Sequence, residues 1–349
     1  MQRFKSILVV LNVLLVILSI GAYFSPYVHP QNSSILPVLG LGYPALLFTH
    51  FLTMIVWLFW DKRWLLLSGI SLVLGISSCQ KIFTISIPDA VGDQVINIAS
   101  FNANFSKPIA LAADSEQEQM GQEFEDFLKT LDDIHVLCVQ EFGWRSESHI
   151  LSAMIFPYKH KVDNTTVAIL SKVPFVATGV VDFHSNIANT CVWADLDMGI
   201  DTIRVYTTHL ESNRQDGKVP KAIVQEDPED VSNAALLGIL KHYQRFSGER
   251  VSQSQLINQH RRKSPHPSIV CGDINDTPQS RVYKVLKDDM RDTFVEEGFG
   301  IGSTFGGRIP ALRIDYIFVD QFLAVRDHVI HKTDYSDHYL QRAVIDYGG

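Results

Sequence analysis

The sequence predicts a layered α/β (α+β) domain, in which two β-sheets pack face to face between helices, preceded by a membrane module. Two observations support this prediction. Three long apolar stretches fill most of the first 80 of the 349 residues. Beyond them, eight short segments rich in Val, Ile, Thr and aromatic residues alternate irregularly with a few helical segments, a pattern typical of packed sheets.

The apolar stretches span residues 7–24, 35–60 and 64–80, and none contains Asp, Glu, Lys or Arg. At about 1.5 Å of rise per residue, each is near the length that crosses a hydrocarbon core of about 30 Å. The sequence therefore predicts three transmembrane helices in a module of residues 1–81. Two alternatives stay open: a cleaved signal peptide for the first stretch, and an interfacial hairpin for the short, serine-containing third stretch.

The basic residues of this module predict its orientation. Arg3 and Lys5 precede the first stretch, and Lys62 and Arg63 separate the second from the third, whereas 25–34 has neither Lys nor Arg. Because basic residues favour the cytoplasmic side, three spans predict a multi-pass protein whose remaining residues are extracytoplasmic. If the third stretch does not cross, the same count predicts a cytoplasmic location.

Residues 82–349 are long enough for one large domain. They hold 25 basic and 37 acidic residues, and this acidic balance counts against tight nonspecific binding of polyanions. The four cysteines, at 79, 138, 191 and 271, have no metal-type or paired spacing. We therefore expect neither a zinc site nor a disulfide framework.

The pattern of residues within this domain gives a coarse secondary structure. Strands are predicted at 95–105, 134–142, 166–172, 190–198, 202–210, 267–275, 312–320 and 342–347. Helices are predicted at 116–133 and 280–289, and a helical pair, interrupted at Ser247-Gly248, is predicted within 232–263.

Polar side chains stand at the ends of these predicted strands. They are Asn102, Glu141, His209, Asp273, Asn275, Asp315, Asp337 and His338. Because strand ends at one edge of a sandwich meet in space, residues far apart in the chain can share one pocket. Carboxylate and amide oxygens favour a hard divalent cation, Mg²⁺ or Mn²⁺, over zinc.

Each of these residues also has a purely structural explanation when it is taken alone. Asn102 can cap a turn, Glu141 can be a solvated loop carboxylate, and His209 can be a buried structural histidine. Residues 272–276, Gly-Asp-Ile-Asn-Asp, can form a turn, and they lack the later acidic residue of an EF-hand. Asp315 can simply pair with Arg313. The combination and order of the motifs, rather than any single residue, carries the functional prediction.

That order, N…QE…H-L…G-D-x-N…R-x-D-Y…S-D-H over 82–349, resembles the endonuclease/exonuclease/phosphatase superfamily. The superfamily includes deoxyribonucleases, abasic-site endonucleases, neutral sphingomyelinases and inositol-polyphosphate phosphatases. The resemblance implies a four-layered α/β sandwich and metal-dependent hydrolysis of phosphoester bonds. It covers about three quarters of the chain, and its motifs are specific for the superfamily but not for the substrate.

The resemblance also implies roles for individual residues. Those near the metal are Asn102, Glu141 and Asp337, with Glu141 as the main ligand. The catalytic residues are His209, Asp273, Asn275, Asp315 and His338. Among them, Asp273 and Asn275 would orient or activate water and hold a phosphoryl oxygen. His338, backed by Asp315, would act on the attacking water or the phosphate, and His209 would protonate the leaving oxygen.

Some features depart from particular branches of the superfamily. The main basic cluster, His-Arg-Arg-Lys at 260–263, is small beside the extended DNA-binding surface of abasic-site enzymes, and it can equally be a solvated helix end. The predicted anchor and His209 favour a phosphodiesterase near a bilayer, acting on lipid headgroups. The alternatives are a nuclease acting on exported nucleic acid and, from another class, an inactive membrane-tethered binding domain. The expected partners are the bilayer and a phosphoester substrate, with no protein partner inferred.

Overall fold

The computed structural model describes residues 2–87, 92, 94–104, 114–184, 189–199, 201–212, 233–307 and 311–348. The chain divides into two compact units. The helical unit comprises Met1–Phe83, Glu211–Ser252 and Asp276–Val285. The sheet unit comprises Thr84–Leu210, Gln253–Asn275 and Leu286–Gly349.

The N-terminal part of the helical unit contains five helices. They are α1 (Gln2–Phe24), α2 (Ile35–Leu41), α3 (Tyr43–Trp60), α4 (Leu65–Leu74) and α5 (Ile76–Gln80). Within the described residues, Gln2–Tyr27 and Tyr43–Trp60 are long and apolar enough to cross a membrane. The second and third predicted spans are not continuous helices, because the second is divided at Gly42 and the third at Gly75.

Helices α1 and α4 run side by side in the same direction. At one end, Lys5 Nζ donates to Asp61 Oδ2 across 2.6 Å, in the turn that precedes α4. Toward the other end, Tyr23 Oη donates to the carbonyl oxygen of Ser71 across 3.0 Å. The tyrosine ring also fills the space beside Gly75, where a Cβ atom would lie 2.3 Å from Tyr23 Oη. This close approach accounts for a glycine at the α4–α5 junction.

The helical unit continues with the first part of helix α8 (Asn233–Arg261) and most of helix α9 (Arg281–Lys287). The predicted interruption at Ser247-Gly248 is wrong, because α8 runs through both residues. One interior glycine costs only about 1 kcal/mol relative to alanine and need not end a helix. The Ser247 hydroxyl donates to Asp276 Oδ2 at 3.0 Å instead of competing for its own backbone.

Residues 276–285 pack on the N-terminal helices within the helical unit. Thr277 Oγ1 donates to the carbonyl oxygen of Gly40 at 3.3 Å, and Gln279 Nε2 donates to Ser78 Oγ at 2.7 Å. A Cβ atom on Gly40 would lie 2.4 Å from the carbonyl oxygen of Gln279. The N-terminal helices are therefore closely packed against a segment far along the chain.

The sheet unit contains nearly all of the β-structure. The strands are β1 (Phe83–Ile85), β2 (Val95–Asn102), β3 (Val136–Gln140), β4 (Tyr158–Lys161), β5 (Ala168–Ser171), β6 (Phe175–Val181), β7 (Thr190–Asp197), β8 (Thr202–His209), β9 (Ser268–Asp273), β10 (Met290–Asp292), β11 (Phe299–Ile301), β12 (Asp315–Asp320), β13 (Ala324–His331) and β14 (Leu340–Asp346). One six-stranded sheet has the order β13-β14-β2-β3-β5-β4, and the other has the order β10-β12-β9-β8-β7-β6. Strands β1 and β11 form a small separate sheet.

The two six-stranded sheets share one apolar core. Ile98 and Val136 from the first sheet and Val205 and Ile269 from the second belong to a single cluster of fully buried side chains. Fully burying an aliphatic side chain of this size contributes about 1.5–3 kcal/mol. This inter-sheet layer positions the strands of both sheets relative to each other.

Helices cover the outer faces of both sheets. Helices α6 (Asp114–Lys129) and α7 (Trp144–Ala153) pack on the first sheet, where Phe124 and Ile150 are buried against Leu137. On the second sheet, His260 of α8 contacts the ring of Trp193 and forms a 2.9 Å hydrogen bond with the Tyr206 hydroxyl. Helix α10 (Thr293–Glu297) lies beside β12 and β13. The predicted two-sheet α/β sandwich flanked by helices is confirmed.

Candidate active site

The strand ends that carry the predicted polar residues lie at one edge of the sandwich. Parallel strands β8 and β9 pair His209 with Asp273 in register. Antiparallel strand β12 pairs its first residue, Asp315, with the same Asp273. In the first sheet, parallel strands β2 and β3 pair Asn102 with Gln140, the residue before Glu141. The topology therefore brings the residues of both sheets to the same edge.

Asp273, Asp315 and His338 form the centre of this edge. Each offers one potential ligand atom, these atoms lie within 4.8 Å of one another, and all three residues are buried. Both carboxylate oxygens of Asp315 lie 3.0 Å from His338 Nδ1. Because a carboxylate only accepts hydrogen bonds, Nδ1 carries the proton that is donated to Asp315. Nε2 of the same ring lies 3.7 Å from Asp273 Oδ2.

The acid–base properties of this centre are strongly perturbed. Burial alone would lower the pKa of His338, but the charges of Asp315 and Asp273 outweigh burial and raise this pKa to about 10. Burial, followed by the charge of Asp315, raises the pKa of Asp273. The two shifts have different effects on charge: the site favours the charged form of His338 and disfavours the charged form of Asp273. Both arise because two carboxylates share a desolvated site with one imidazole.

Asn102 links the two sheets at this edge. Its amide nitrogen donates to Asp273 Oδ2 at 3.0 Å and lies 3.4 Å from Glu141 Oε1. Its amide oxygen accepts from the backbone N–H of Asn104 at 3.2 Å. Asn102 therefore orients two carboxylates in this structure, and binding a cation through Oδ1 requires the amide group to turn over.

Glu141 and Asn275 adopt unusual backbone conformations. Their φ angles are 52° and 53°, in the left-handed region that residues other than glycine seldom adopt. Asparagine tolerates this conformation, whereas a glutamate in it is strained. Such strain is concentrated at functional sites, and here it occurs at the residue predicted to be the main metal ligand.

His209 and Asn275 extend the site from the ends of β8 and β9. His209 Nε2 lies 3.7 Å from Asp273 Oδ2, the same oxygen that His338 Nε2 approaches. The backbone N–H of Asn275 donates to Asp273 Oδ1 at 2.8 Å, and its side-chain amide donates to the carbonyl oxygen of Leu210 at 3.0 Å. Asp273 is thus contacted by groups from both strands.

Asp337 is half-buried beside His338. Its charge contributes to raising the pKa of His338, and its backbone carbonyl accepts from Gly306 N at 2.8 Å. The acidic and histidine cluster found among the described residues consists of Asp273, Asp315 and His338, so Asp337 lies outside it.

Three supporting residues have little or no distinguishing signal in the sequence. The Thr304 hydroxyl accepts from the backbone N–H of Asp315 at 3.1 Å. The Phe305 ring packs edge-on against His338, with 5.0 Å between ring centroids. Ser336 Oγ donates to the carbonyl oxygen of Asn102 at 2.9 Å and accepts from His338 N. Ser336 is marked in the sequence only as the first residue of the Ser-Asp-His motif.

The basic cluster at 260–263 is engaged in other contacts. The guanidinium groups of Arg261 and Arg262 form ion pairs with Asp289 and Asp288, respectively. His260 contacts the second sheet. This pairing supports the interpretation of the cluster as a structural helix end.

The two-sheet fold defines a class, that of the phosphoesterase fold, and the sequence supports the same class. The sequence profile of the Endonuclease/Exonuclease/phosphatase family matches residues 99–338, and the chain belongs to this family. A second profile, a domain of unknown function (DUF8431), matches residues 5–82. No curated protein matches the sequence.

Solved structures similar to this chain support the same fold. An endonuclease/exonuclease/phosphatase from Bacteroides vulgatus is 17% identical and superimposes with a TM-score of 0.53, covering 73% of this chain and 99% of its own. Truncated TDP2 from Caenorhabditis elegans is 18% identical, with a TM-score of 0.51 and coverages of 72% and 98%. TDP2 from D. rerio, solved with a single-strand DNA product, is 16% identical, with a TM-score of 0.52 and coverages of 73% and 100%.

Proposed function

We propose that the protein is a membrane-anchored, divalent-metal-dependent hydrolase of phosphoester bonds. The observation that carries this proposal is the meeting of Asp273, Asp315 and His338 within 4.8 Å at one strand-end edge. Hydrolysis of a phosphodiester requires cancellation of phosphate charge, activation of water and protonation of the leaving oxygen. The acidic, amide and imidazole groups at this edge include candidates for each task.

The donor set fits Mg²⁺ or Mn²⁺. Burial and repulsion from Asp315 raise the pKa of Asp273. A bound cation would stabilise these buried carboxylates in their charged form. We propose Glu141, Asn102 and Asp337 as the residues that hold the ion, with Asp273 close enough to Asn102 to contribute. A bound ion would supply positive charge against the negative phosphate oxygens.

We propose that the two histidines have different roles, His338 at the attacking water or the phosphate and His209 at the leaving oxygen. Asp315 accepts from the Nδ1–H of His338, and the raised pKa of the ring keeps Nε2 protonated near neutral pH. We therefore propose that Nε2–H donates to the attacking water or to a phosphate oxygen. His209 Nε2, 3.7 Å from Asp273 Oδ2, is the proposed donor to the leaving oxygen. Asp273, held by the backbone N–H of Asn275, is the proposed group that orients the attacking water.

We propose the phosphodiester of a lipid headgroup as the substrate class, because an anchored enzyme meets lipids at high local concentration. The acidic balance of residues 82–349 and the pairing of Arg261 and Arg262 with aspartates count against broad nucleic-acid binding. The competing proposal is a nuclease for exported nucleic acid. It draws on the D. rerio TDP2 structure, which was solved with a single-strand DNA product.

We further propose that the protein crosses the membrane three times, with α4 and α5 together as the third crossing. Lys5 and Asp61 lie at one end of the helices. At the other, Tyr43, the first residue of α3, shares a 3.3 Å hydrogen bond with Cys79 of α5. The chain would then leave α5 at the end opposite to Lys5. Because basic residues favour the cytoplasm, the hydrolase domain would be extracytoplasmic.

Labelling of introduced cysteines in intact cells tests this orientation. Ile155→Cys, at a position 81% exposed, should react with a membrane-impermeant thiol reagent, whereas Lys62→Cys should be protected. The wild-type chain is the background control, since three native cysteines are buried and Cys79 is partly buried. The reverse pattern would place the domain in the cytoplasm, as expected if α4 and α5 do not cross.

The hydrolase proposal is tested with the full-length protein in detergent micelles. We expect turnover of bis(p-nitrophenyl) phosphate that requires Mg²⁺ or Mn²⁺ and stops in EDTA. Asp273→Asn should abolish it, while Asp195→Asn, which alters another buried aspartate on β7, should not. A comparison of phospholipids, single-stranded DNA and phosphomonoesters identifies the substrate class. Absence of metal-dependent turnover with all of them would favour an inactive membrane-tethered binding domain.

A further inference from the structure

Two chain segments leave the site side by side. Strand β8 ends at His209 and strand β9 ends at Asp273, and these residues pair in register. The next residues remain joined, because Leu210 N donates to the carbonyl oxygen of Asp273 and the Asn275 side chain donates to the carbonyl oxygen of Leu210, each at 3.0 Å. The residues that follow directly are Glu211 and Asp276.

A buried arginine connects those two following residues. Arg250 of α8 is 0% exposed. Its NH1 group donates to the carbonyl oxygen of Glu211 at 3.1 Å, while Nε and NH2 donate to Asp276 Oδ2 at 3.2 and 3.1 Å. One rigid guanidinium plane therefore holds both chain segments, one residue beyond Leu210 and one residue beyond Asn275.

Helix α8 supplies further donors to the same carboxylate. The Tyr243 hydroxyl donates to Asp276 Oδ1 at 2.9 Å, and the Ser247 hydroxyl donates to Asp276 Oδ2 at 3.0 Å. Tyr243, Ser247 and Arg250 lie on one face of the helix, at intervals of four and three residues. This hydrogen bonding also explains why Asp276 is separate from the acidic cluster: its carboxylate is occupied by helix α8.

Stability alone is a weak reason for such an arrangement. A buried ion pair often contributes no more stability than apolar residues of similar volume, because both charges must be desolvated. An arginine guanidinium has several N–H donors in one plane with fixed directions, whereas a lysine ammonium has not. That geometry fixes the separation of Glu211 and Asp276, and hence of the peptide bonds that join them to Leu210 and Asn275.

We propose that Arg250 is a positioning residue that holds His209 and Asn275 in their reactive arrangement through Glu211 and Asp276. The inference rests on the proposed hydrolase function and on the roles proposed for these two side chains. Displacements of about 1 Å at a reacting centre can lower rates by about 100-fold. If His209 protonates the leaving oxygen, its displacement slows esters with poor leaving groups more than esters with good ones.

The leaving-group dependence of Arg250→Lys tests this inference in the full-length protein. Turnover of bis(p-nitrophenyl) phosphate, whose leaving group needs no proton, is compared with turnover of a dialkyl phosphodiester, whose leaving group does. We expect kcat for the dialkyl ester to fall by about 100-fold and kcat for the nitrophenyl ester to fall at least about tenfold less. A loss of folded protein would lower both by the same factor.

Two sets of variants keep the test interpretable. Arg204→Lys alters another arginine–aspartate pair, with Asp195 at 2.6 Å, and should leave the ratio of the two kcat values unchanged. Tyr243→Phe and Ser247→Ala each remove one hydrogen bond to Asp276 without leaving a charge unpaired. They should change the ratio in the same direction as Arg250→Lys, by about threefold, even if Arg250→Lys folds poorly.

The outcomes separate the two proposals. An active wild-type protein with an unchanged ratio in Arg250→Lys, Tyr243→Phe and Ser247→Ala would overturn the positioning role and leave the hydrolase proposal intact. A wild-type protein without metal-dependent turnover would overturn the hydrolase proposal, and the positioning role with it. A changed ratio in the three variants, with Arg204→Lys unaffected, supports the inference.

Discussion

His338 Nδ1 lies 3.0 Å from each carboxylate oxygen of Asp315. Both side chains are buried, and they come from opposite sheets, since Asp315 begins β12 and His338 lies just before β14. The pair fixes the tautomer of the imidazole and aims its Nε2 atom at the space beside Asp273 Oδ2. Asp315 and His338 should therefore act as one functional unit.

His338→Asn should lower kcat by about 10²- to 10⁴-fold, the usual contribution of a positioned acid or base. Asp315→Asn should also lower kcat. Because the two residues act together, Asp315→Asn should add less than about threefold in a protein that already carries His338→Asn. Steady-state kinetics of the two single variants and the double variant measure this coupling.

The control for this prediction is His328→Asn, which replaces another buried histidine of the sheet unit. His328, on the edge strand β13, hydrogen-bonds Thr293 at 2.8 Å, and it is not one of the three residues of the Asp273–Asp315–His338 cluster. Its replacement should lower stability but leave kcat of the folded protein nearly unchanged. Fully additive losses in the Asp315–His338 double variant would show that the two residues act independently.

Glu141→Asn should raise stability while it lowers activity. Glu141 has a φ of 52°, a conformation that costs most L-residues about 1–2 kcal/mol and that asparagine tolerates. The change also removes one of the two carboxylates that the Asn102 amide nitrogen contacts. We expect a higher thermal unfolding midpoint without metal, a smaller increase on addition of Mg²⁺, and a loss of activity of at least about tenfold.

Ala311→Asn is the control for backbone strain, because Ala311 also has a positive φ, of 58°. It should raise the unfolding midpoint without changing the response to Mg²⁺. If Glu141→Asn lowered the unfolding midpoint, or left the Mg²⁺ response unchanged, the interpretation of Glu141 as a strained metal ligand would be wrong.

Gly272→Ala should disrupt the site by separating strands β8 and β9 next to His209 and Asp273. Gly272 has a φ of +136°, and a Cβ atom there would lie 2.0 Å from the carbonyl oxygen of Thr208. The Thr208–Gly272 pair directly precedes the His209–Asp273 pair in the β8–β9 register. Backbone strain of this kind costs about 1–3 kcal/mol, and separating the strands would displace both functional side chains.

Gly199→Ala separates conformational strain from steric clash. Gly199 also has a positive φ, of +90°, but a Cβ atom added there would have no atom within 4 Å among the described residues, its two chain neighbours excepted. Thermal unfolding and kcat should therefore change less in Gly199→Ala than in Gly272→Ala. Equal effects in both variants would mean that the close approach of Gly272 to Thr208 is unimportant.

The sequence pattern predicts the central strands of both six-stranded sheets but none of their edge strands. The eight predicted strands correspond to β2, β3, β5, β7, β8, β9, β12 and β14, and no prediction corresponds to the four edge strands, β4, β6, β10 and β13. An edge strand has one neighbour and greater exposure, so its sequence lacks a continuous apolar run. Strand β13, for example, contains Arg326 and Asp327 between apolar residues.

The candidate site was more predictable than the contacts that support it. Strand ends located Asp273, Asp315 and His338 at one edge, because sheet topology brings such ends together. The hydroxyl of Thr304 and the helix α8 contacts of Asp276 depend on packing between distant segments, which a single sequence does not reveal. The continuity of α8 through Gly248 depends on the same kind of packing, because Ser247 and Arg250 bind Asp276 from a distant segment.

His328 should make the stability of the sheet unit depend on pH. Its side chain is 4% exposed. Burial, aided by the charges of Arg313 and His331 and opposed by Asp292, lowers its pKa to about 3. Thr293 Oγ1 donates to the carbonyl oxygen of Ile317 and thus accepts from His328 Nδ1. Nε2 is buried and has no hydrogen-bond partner among the described residues.

Protonation of His328 in the folded state would therefore bury a charged N–H group without a partner. The unfolded chain binds this proton below a pH of about 6.5, whereas the folded chain does so only near pH 3. The stability that His328 contributes is thus complete above pH 6.5 and falls as the pH drops toward 3. The slope is about 1.4 kcal/mol per pH unit.

His328→Gln should remove this pH dependence, because glutamine stays neutral and can still donate to Thr293. At pH 7.5 the variant should unfold at a lower temperature than the wild type, since its amide fits the imidazole site imperfectly. The difference between the two unfolding temperatures should shrink by about 2–4 °C for each pH unit below 6.5. In more acidic solution the variant should unfold at a higher temperature than the wild type. Thermal unfolding of both proteins between pH 4 and pH 7.5 measures this difference. A difference that stays constant over this range would show that His328 takes up protons equally well in the folded and unfolded chains.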